Sequence, residues 1–543
     1  MKNYGMKKII TAFVFCFLFG ECFPQAGEWV WIKGDSIFNQ PGNYGVQGVP
    51  SPTNNPPGLY ESCEWKDLSG NFWLFGGNYG GNDVWKYNPA TNEWTWMKGD
   101  STQLTTGNYG VQGVPSPNNN PPPRLYAPAR WSDTLGNLWT FGGWNGSSSS
   151  SFNDLWKYDV SANEWTWMKG PMGAGQPGNY GIQGVSSPSN NPPGRNECVA
   201  AWTDNSGDLW LFGGVESWFF EDLWRYNIAS NQWTWMKGSQ AGTNQTAVYG
   251  LQGVEDIANT PGPRWSYAHW KDSTGKLWLF SGLGGSLNPV ANDLWRYNPS
   301  TNNWAWMSGY FTVPVFGNKC EALSTNIPWG RSENSTSWKD QQGNFWFFGG
   351  NPDLGANPGY ANDLWKYCVD ANLWIWISGD STVNSIGSWG TQGVSNVTNK
   401  PNGRMGSVGW TDNNGHLYLF GGGVNVGLYF CNDLWKYTID TTCGECPAPN
   451  SIQENNLPKA DELLVFPNPA NSSLTISFPS SEKQTVELRL YNTLGKQIYF
   501  SKEEIAKGKF EKDINVEKLS EGIYFLQLKT KEGLMNKKVI VQH

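Results

Sequence analysis

The stretch "DVWKYNPATNEWTWMKGD" (83–100) contains two runs in which apolar and polar residues alternate, joined by a short polar link. Alternation with a period of two is typical of a β-strand with two different faces, and a link rich in Asn and Pro favours a hairpin. Nearly the same phrase returns as "DLWKYDVSANEWTWMKG" (154–170) and "DLWRYNIASNQWTWMKG" (222–238). This recurrence predicts a repeat architecture.

Two further runs precede each copy of the hairpin, so one repeat unit has four strands, named a to d in chain order. Run a carries a Trp-x-Asp phrase followed by a glycine turn, and run b carries phrases such as "NFWLFGG" (71–77). Six units of four antiparallel strands predict an all-β propeller of radially packed sheets. The Trp-x-Asp phrases recur every 66–72 residues, at Trp65/Asp67, Trp131/Asp133, Trp202/Asp204, Trp270/Asp272, Trp338/Asp340 and Trp410/Asp412.

The two ends of the repeat region are each incomplete. "EWVWIKGD" (28–35) matches run d but has no run c before it, whereas "DLWKYTID" (433–440) matches run c and has no run d after it. Because an open ring would leave a sheet edge and an apolar face bare, we expect the N-terminal run to complete the sixth unit. The predicted fold is a six-bladed β-propeller over residues 27–445 that is closed by an N-terminal strand.

The units resemble kelch repeats over roughly residues 28–440. The resemblance rests on the double glycine after strand b, the aromatic residue in strand c and the Trp in strand d. The first unit departs from the pattern with Leu59 before strand a, and the fourth has "FSG" (280–282) in place of "FGG". The resemblance implies a kelch-type propeller similar to the central domain of galactose oxidase. The other units have an arginine before strand a, at Arg124, Arg195, Arg264, Arg331 and Arg404.

The segments that flank the repeats follow other patterns. Residues 1–26 have the pattern of a secretory signal peptide, with a basic start and the apolar run "IITAFVFCFLFG" (9–20). Residues 446–462 are polar and predict a linker. Residues 463–543 hold several alternating runs separated by turns, which predicts a small immunoglobulin-like β-sandwich.

The last segment also carries a set of short phrases: "FPNPA" (466–470), "YNTLGK" (491–496), "LSEGIYFLQL" (519–528) and "KKVIV" (537–541). With these phrases it resembles the C-terminal sorting domain of the type IX secretion system of Bacteroidetes-type bacteria. The resemblance implies that the secretion machinery recognises residues 463–543 and exports the chain through the outer membrane. It also implies that the domain is removed as the protein is released or anchored, so we expect a secreted or cell-surface protein.

The composition excludes some classes of partner. The chain has 38 Lys and Arg against 46 Asp and Glu, a formal net charge of −8. Nucleic-acid binding needs clustered basic charge, so this balance argues against a nucleic-acid partner. Outside the leader, no stretch is long and apolar enough to span a membrane as a helix.

Strand direction places the b–c and d–a connections on one face of the predicted ring, called here the long-loop face, and the short a–b and c–d hairpins on the other. Ligand sites prefer long loops on a rigid scaffold. The d–a loops repeat a tyrosine, as at Tyr44, Tyr109 and Tyr180, and this repetition favours a structural role.

The b–c loops differ between units and carry aromatic residues that suit stacking on a sugar or packing against a partner protein. The alternative is that these residues fill the interior of the ring. The candidate ligand-binding residues are Tyr79, Trp144, Trp218, Phe219, Phe220, Tyr360, Tyr429 and Phe430.

Signals for catalysis are weak. The histidines His269, His416 and His543 are expected at different places, so a copper site of the galactose-oxidase kind is not predicted. The repeated Asp of the a–b turn favours turn formation over a calcium site. We predict no catalytic residue, metal or cofactor. The acidic residues expected on the long-loop face show no spacing that marks a catalytic pair; they are Glu216, Glu221, Glu255 and Asp353.

These observations favour a secreted or surface-held module that binds glycan or protein. The alternative is an extracellular carbohydrate-active or oxidative enzyme whose site lies on the long-loop face. A purely structural surface protein is a third possibility, because a repeat fold alone does not name a ligand.

Seven cysteines lie outside the leader, an odd number that leaves at least one free or paired with another molecule. In "CGEC" (443–446) we expect a local disulfide between Cys443 and Cys446, or a link to a neighbour. A redox-active pair is the less favoured interpretation, because no thioredoxin-like βαβ pattern surrounds it.

Overall fold

The computed structural model describes residues 26–543, except 78–80, 103–105, 145, 147–149, 198, 241–245, 285–289, 310–313, 334, 353–358, 425–428, 448–462, 481, 493–496 and 531–532. Every regular element in this part of the chain is a β-strand, in agreement with the predicted all-β class. No helix in it is long and apolar enough to cross a membrane. Residues 1–25 of the predicted signal peptide lie outside the described residues.

Six four-stranded antiparallel sheets follow one another along residues 29–437 and are numbered by repeat unit. Strand β1 (Trp29–Lys33) comes first. Sheet 1 contains β2 (Cys63–Lys66), β3 (Phe72–Phe75), β4 (Val84–Asn88) and β5 (Glu93–Lys98). Sheet 2 contains β6 (Ala129–Ser132), β7 (Leu138–Phe141), β8 (Leu155–Asp159) and β9 (Glu164–Lys169). Sheet 3 contains β10 (Ala200–Thr203), β11 (Leu209–Phe212), β12 (Leu223–Asn227) and β13 (Gln232–Lys237).

The second half of the repeat region adds short ribbons to the same plan. The strands around sheet 4 are β14 (Arg264–Trp265), β15 (Ala268–Lys271), β16 (Leu277–Phe280), β17 (Leu283–Gly284), β18 (Leu294–Asn298) and β19 (Asn303–Ser308). Of these, β14 pairs with β17 and the other four form the sheet. Sheet 5 contains β20 (Thr336–Lys339), β21 (Phe345–Phe348), β22 (Leu364–Cys368) and β23 (Leu373–Ser378). The last strands are β24 (Arg404–Met405), β25 (Val408–Thr411), β26 (Leu417–Phe420), β27 (Gly423–Val424), β28 (Tyr429–Phe430) and β29 (Leu434–Tyr437).

Sheet 6 is built from both ends of the repeat region, in the order β1-β29-β26-β25. Trp29 lies opposite Tyr437, and Trp31 lies opposite Trp435. The predicted pairing of the N-terminal run with the last strand c is therefore confirmed. The Trp29 ring also contacts Phe348 of sheet 5, with ring centroids 5.5 Å apart.

The cores lie between sheets rather than within one sheet. Six buried clusters each combine residues of two successive sheets, and one of them combines sheet 6 with sheet 1. The innermost strands β2, β6, β10, β15, β20 and β25 contact one another in this order, and β25 contacts β2. The twelve largest fully buried side chains among the described residues are all tryptophans. Sheets packed in this way have the arrangement typical of propeller blades.

The a–b turn is shaped by the repeated aspartate. In the first unit, Asp67 Oδ1 accepts hydrogen bonds from the backbone N–H groups of Ser69 and Asn71, and Oδ2 accepts one from Trp73 Nε1 at 2.8 Å. In the sixth unit, His416 Nδ1 lies 2.8 Å from Asp412 Oδ2. The predicted turn-forming role of this aspartate is confirmed, because its side chain satisfies the turn's own donors.

The aspartate before strand c joins the d–a loop to the sheet. The Tyr180 hydroxyl donates a hydrogen bond to Asp222 at 2.6 Å, and the buried Arg195 guanidinium pairs with the same carboxylate. This explains the repeated tyrosine as structural, as predicted. In the first unit Leu59 occupies the arginine position, so Asp83 receives hydrogen bonds from Tyr44 and Trp85 but has no guanidinium beside it.

The glycine after strand b is required by the next unit. Gly76 has a φ of 66°, and a Cβ added there would lie 2.5 Å from the carbonyl oxygen of Arg124. In the fourth unit Ser281 takes the equivalent position with a φ of 71°. Its hydroxyl donates to the carbonyl of Ala291 at 2.7 Å, which accommodates the departure from the double glycine.

The cysteine pairing differs from the expected local disulfide. Cys443 bonds to Cys320 and Cys446 bonds to Cys368, with Cα atoms 4.7 Å and 5.6 Å apart. The reason is that the segment between them lies against sheet 5, where a Cβ on Gly444 would meet Ile377 at 2.8 Å. Both flanking cysteines therefore bond to the sheet 5 unit instead of to each other. Cys63 and Cys431 are free and buried, as an odd number of cysteines allows.

The C-terminal segment forms one three-stranded and one four-stranded antiparallel sheet. Leu474 and Ile476 of the first sheet share one buried core with Leu488 and Leu526 of the second. This is a small β-sandwich, as predicted. Its strands are β30 (Leu464–Phe466), β31 (Ser473–Ser480), β32 (Gln484–Asn492), β33 (Gln497–Ile505), β34 (Gly508–Asn515), β35 (Gly522–Thr530) and β36 (Gly533–Val541).

Candidate functional site

Backbone hydrogen bonds join neighbouring units just before their innermost strands. The Glu61 N–H donates to the Gly406 carbonyl at 2.8 Å, and the Glu197 N–H donates to the Tyr126 carbonyl at 2.8 Å. Each of these residues stands two positions after the repeated arginine or its replacement Leu59. The full set at this position, in unit order, is Glu61, Tyr126, Glu197, Ser266, Glu333 and Gly406.

Every second unit places a glutamate at this position, and the three side chains converge. One carboxylate oxygen from each of Glu61, Glu197 and Glu333 lies within 4.8 Å of the other two. Glu61 has no exposed surface. Oε2 of Glu197 and Oε2 of Glu333 are also buried, and neither accepts a hydrogen bond. We call these three residues the axial glutamates.

Burial and the neighbouring carboxylates raise the pKa values of Glu197 and Glu333. Burial, together with the charges of Glu61 and Glu333, raises the pKa of Glu197 well above its ordinary value. Burial and the neighbouring Glu61 raise the pKa of Glu333 to about 8. The cause is that an ionised carboxylate loses hydration here and faces like charges.

Aromatic side chains surround the axial glutamates. Tyr60, Tyr360 and Phe430 form one buried cluster, against which Tyr126 packs. The rings of Tyr60 and Tyr126 meet edge to face with centroids 6.2 Å apart. Trp144 then stacks on the outer side of Tyr126, at 5.2 Å and an interplanar angle of 25°. A continuous set of rings therefore leads from the axis to the b–c loop of sheet 2.

The predicted ligand-binding aromatics fall into two groups. Phe220, Tyr360 and Phe430 are only 3%, 8% and 2% exposed, and they pack inside the long-loop face. Phe220 lies against the Arg195 guanidinium, 4.2 Å from its ring centroid. These three rings therefore pack on the buried side of the loops and support them.

The other predicted aromatics present surface to solvent. Trp218 is 52% exposed and Tyr429 is 45% exposed. Trp144 and Phe219 are half-buried, and Phe219 stacks on Trp265 with centroids 6.4 Å apart. Tyr79 lies outside the described residues.

The innermost strands also line a cavity of about 430 Å³. In it Arg130 pairs with Glu64, and burial raises the pKa of that carboxyl to about 7. His269 is half-buried beside the ring of Trp202, and desolvation together with the nearby Arg130 lowers its pKa to about 3. His269 is therefore a neutral packed residue. Other lining residues include Lys66, Lys339, Trp338 and Trp410.

Three of the acidic residues expected on the long-loop face hold loops, and one of them, Glu255, does so at a c–d hairpin on the opposite face, where it accepts a hydrogen bond from Thr301. Glu216 accepts a hydrogen bond from the backbone N–H of Ser151, and Glu221 accepts one from Ser239. Asp353 lies outside the described residues. The axial glutamates were not singled out by sequence reasoning. Superposing the six units in sequence would have found them, since an acidic residue stands at the same position in units one, three and five.

Two family models match the chain. Residues 135–166, which include β7, β8 and part of β9, match the Kelch motif. Residues 464–542 match the secretion system C-terminal sorting domain. The chain is a secreted kelch-repeat protein. Both resemblances drawn from the sequence are confirmed, and the sorting domain indicates that this kelch-repeat protein is exported by type IX secretion to the cell surface or the extracellular space.

Proposed function

We propose that this kelch-repeat protein is a six-bladed propeller, closed by its own N-terminal strand, that binds glycan outside the cell on its long-loop face. Residues 27–445 form the propeller, residues 446–462 the linker and residues 463–543 the domain read by the secretion machinery. The order of contacts among the innermost strands, which returns from β25 to β2, supports six blades. The pairing of β1 with β29 supports closure by the N-terminus.

The observation that carries the binding proposal is the set of exposed aromatic rings in the b–c loops. Trp218 and Tyr429 belong to different units, and each presents about half of its surface to solvent. Tyr429 is held from behind by Phe38, with centroids 6.0 Å apart, and Trp144 is held by Tyr126. Rings fixed in this way offer one face to a ligand at little cost in side-chain entropy.

Glycan fits this pattern better than a protein partner. Protein interfaces have a contiguous core of well-packed apolar residues. Here the exposed rings stand singly on separate loops, which suits sugar rings spaced along a chain. A protein that bound with the same dependence on these rings would contradict the glycan assignment.

The carboxylates of the axial glutamates do not suit glycoside hydrolysis. A pair of catalytic carboxylates flanks a substrate at a separation of about 5–9.5 Å. The axial glutamates approach more closely, and Glu61 has no exposed surface. We therefore favour binding over the alternative of a carbohydrate-active enzyme.

The test is a glycan array probed with the full chain, followed by titration of the best glycan into single variants. Trp218→Ala and Tyr429→Ala should each weaken binding by roughly tenfold, the change produced by about 1.4 kcal/mol. Leu135→Ala is the matched control, because Leu135 is 80% exposed but lies in an a–b hairpin on the opposite face. Equal affinity of Trp218→Ala and Leu135→Ala, or an array with no bound glycan, would contradict the proposal.

A further inference from the structure

The last residue of each innermost strand carries a side chain that can donate a hydrogen bond. Each of these residues directly precedes the repeated aspartate of the a–b turn. Ammonium and hydroxyl groups both donate, and no carboxylate stands at this position in any unit. We call these residues the donor set; in unit order they are Lys66, Ser132, Thr203, Lys271, Lys339 and Thr411.

The donor set ties each innermost strand to the strand of the preceding unit. The Thr411 hydroxyl donates to the carbonyl of Lys339 at 3.2 Å, and Thr203 makes the same type of bond to sheet 2 at 2.8 Å. Lys66 Nζ donates to the Thr411 carbonyl at 2.8 Å. Lys339 Nζ donates to the carbonyl of Lys271 at 3.2 Å. A threonine hydroxyl therefore makes the same strand-to-strand bond as a lysine.

The lysines bring a positive charge that this strand-to-strand bond does not need. An ammonium has three N–H groups, and Lys66 and Lys339 each place one on a carbonyl, so the others can bind a ligand or water. Burial lowers the pKa of Lys66. Burial and the neighbouring Lys339 ammonium lower the pKa of Lys271, and the charges of Asp204 and Asp272 oppose this without reversing it. An anion beside these ammonium groups would offset the cost of their desolvation and crowding.

The cavity between the innermost strands is positively charged and has the size of a small-molecule site. Its volume of about 430 Å³ lies within the range of about 300–1,000 Å³ that is typical of ligand pockets. Lys66, Arg130 and Lys339 supply three positive charges to its lining. Glu64 supplies the one carboxylate among the described lining residues, and it pairs with Arg130. The lining is therefore cationic, although the whole chain has a formal net charge of −8.

The aspartates of the a–b turns lie near this end of the cavity, but they bind donors of their own turns. Asp67 Oδ2 accepts a hydrogen bond from Trp73 Nε1 at 2.8 Å, and Asp412 Oδ2 lies 2.8 Å from His416 Nδ1. For Lys66, the attraction of Asp412 and Asp67 raises the pKa by less than burial lowers it. These carboxylates therefore do not fully compensate the charge of Lys66.

We propose that Lys66 and Lys339 bind a small oxyanion, a sulfate or a carboxylate, at the a–b end of this cavity. Thr411 stands between the two lysines, since its carbonyl accepts from Lys66 and its hydroxyl donates to the carbonyl of Lys339. The two ammonium groups donate to the oxygens of the anion, and the hydroxyl of Ser337 lines the same cavity. The site is independent of the proposed glycan surface, because it lies at the opposite end of the innermost strands.

The experiment titrates sodium sulfate, sodium malonate and malonamide separately into the full chain in a calorimeter at constant ionic strength. Sulfate or malonate should bind with a stoichiometry near one. Stronger binding of sulfate would identify a tetrahedral oxyanion as the ligand, and stronger binding of malonate would identify a carboxylate. Malonamide has the shape of malonate without its charge and should not bind. The proposal is wrong if neither anion binds, or if malonamide binds as tightly as malonate.

Two variants test the lysines without removing the strand-to-strand bond. Lys66→Thr and Lys339→Thr introduce the residue that already stands at this position in units three and six, so each variant should keep the thermal unfolding midpoint of the natural chain. Each should weaken anion binding roughly tenfold or more, because a hydrogen bond from a charged donor is lost.

Lys169→Gln is the matched control. The Lys169 ammonium also donates to a backbone carbonyl, that of Pro188 at 2.7 Å, but it belongs to the outermost strand of sheet 2. This variant should bind the anion as the natural chain does, and so should Trp218→Ala, whose ring belongs to the proposed glycan surface. Equal affinity of Lys66→Thr, Lys339→Thr and Lys169→Gln would overturn the proposal and leave the glycan proposal untouched.

Discussion

Asp83 is the one aspartate before strand c whose unit has no arginine, and replacing it with asparagine should make the protein more stable at neutral pH. Burial raises the pKa of Asp83 from 3.8 to about 7, with hydrogen bonds from Trp85 and Tyr44 opposing the rise. A folded-state pKa above the unfolded value means that the native state binds more protons between these two values. Stability is then greatest below pH 3.8 and falls until about pH 7, above which the loss is complete.

The size of the stability change follows from the shift in the pKa of Asp83. At about 1.4 kcal/mol per pKa unit, a rise from 3.8 to about 7 costs about 4 kcal/mol of unfolding free energy at pH above 7. Asp83→Asn keeps an oxygen that can accept from Trp85 and Tyr44 but never ionises. The variant should therefore match the natural chain in acid and exceed it by up to about 4 kcal/mol in mildly alkaline buffer.

Urea unfolding followed by tryptophan fluorescence at several pH values measures the difference in unfolding free energy between the natural chain and Asp83→Asn. The contributions of other titrating groups are the same in both proteins and cancel in this difference. Asp154→Asn is the control with the opposite sign. Asp154 pairs with Arg124, both fully buried, so the variant leaves an uncompensated guanidinium and should lose about 3–5 kcal/mol. If the natural chain and Asp83→Asn show parallel pH profiles, Asp83 ionises normally in the folded state and the reasoning fails.

Three other changes test the architecture. Deleting residues 27–35 removes β1 and its pairing with β29, so the thermal midpoint should drop sharply; an unchanged midpoint would show that the strand does not complete sheet 6. Cys320→Ser opens the link to Cys443 and should cost about 2–5 kcal/mol, and non-reducing peptide mapping of the natural chain should recover the Cys320–Cys443 peptide pair. Gly76→Ala places a Cβ 2.5 Å from the Arg124 carbonyl at a φ of 66°, so it should destabilise by at least about 1–2 kcal/mol in urea unfolding, and a neutral result would contradict the close approach of the two units.

Much of the fold could be predicted from local pattern. The alternation in "DVWKY" and "EWTWMK" assigns strands c and d, because side chains of a strand point to two faces with a period of two. The turn at Asp67 could be predicted from the sequence, because the carboxylate of Asp67 accepts hydrogen bonds from donors only two and four residues away. The unmatched runs at both ends predict the pairing of Trp31 with Trp435, because a bare edge is unfavourable.

The exposure of the candidate aromatics could not be predicted in the same way. Trp218 and Phe220 stand two residues apart in one loop, yet the first is 52% exposed and the second is 3% exposed. Loops have no regular period that assigns a face to each residue. The burial of a loop side chain therefore depends on which side chains of the neighbouring unit lie against it. Phe220 is buried because the Arg195 guanidinium lies over it.

Local pattern and repetition were enough to predict the strands, their order in each unit, the pairing of the two ends and the export domain. Only the tertiary structure brought Glu61, Glu197 and Glu333 together and joined Cys443 to Cys320 and Cys446 to Cys368. The physical reason is that radial packing turns residues far apart in the chain into neighbours. Comparison of the six units shows that the three glutamates share one position. That this position faces the centre depends on the rotation of each sheet about that centre, which no local pattern encodes.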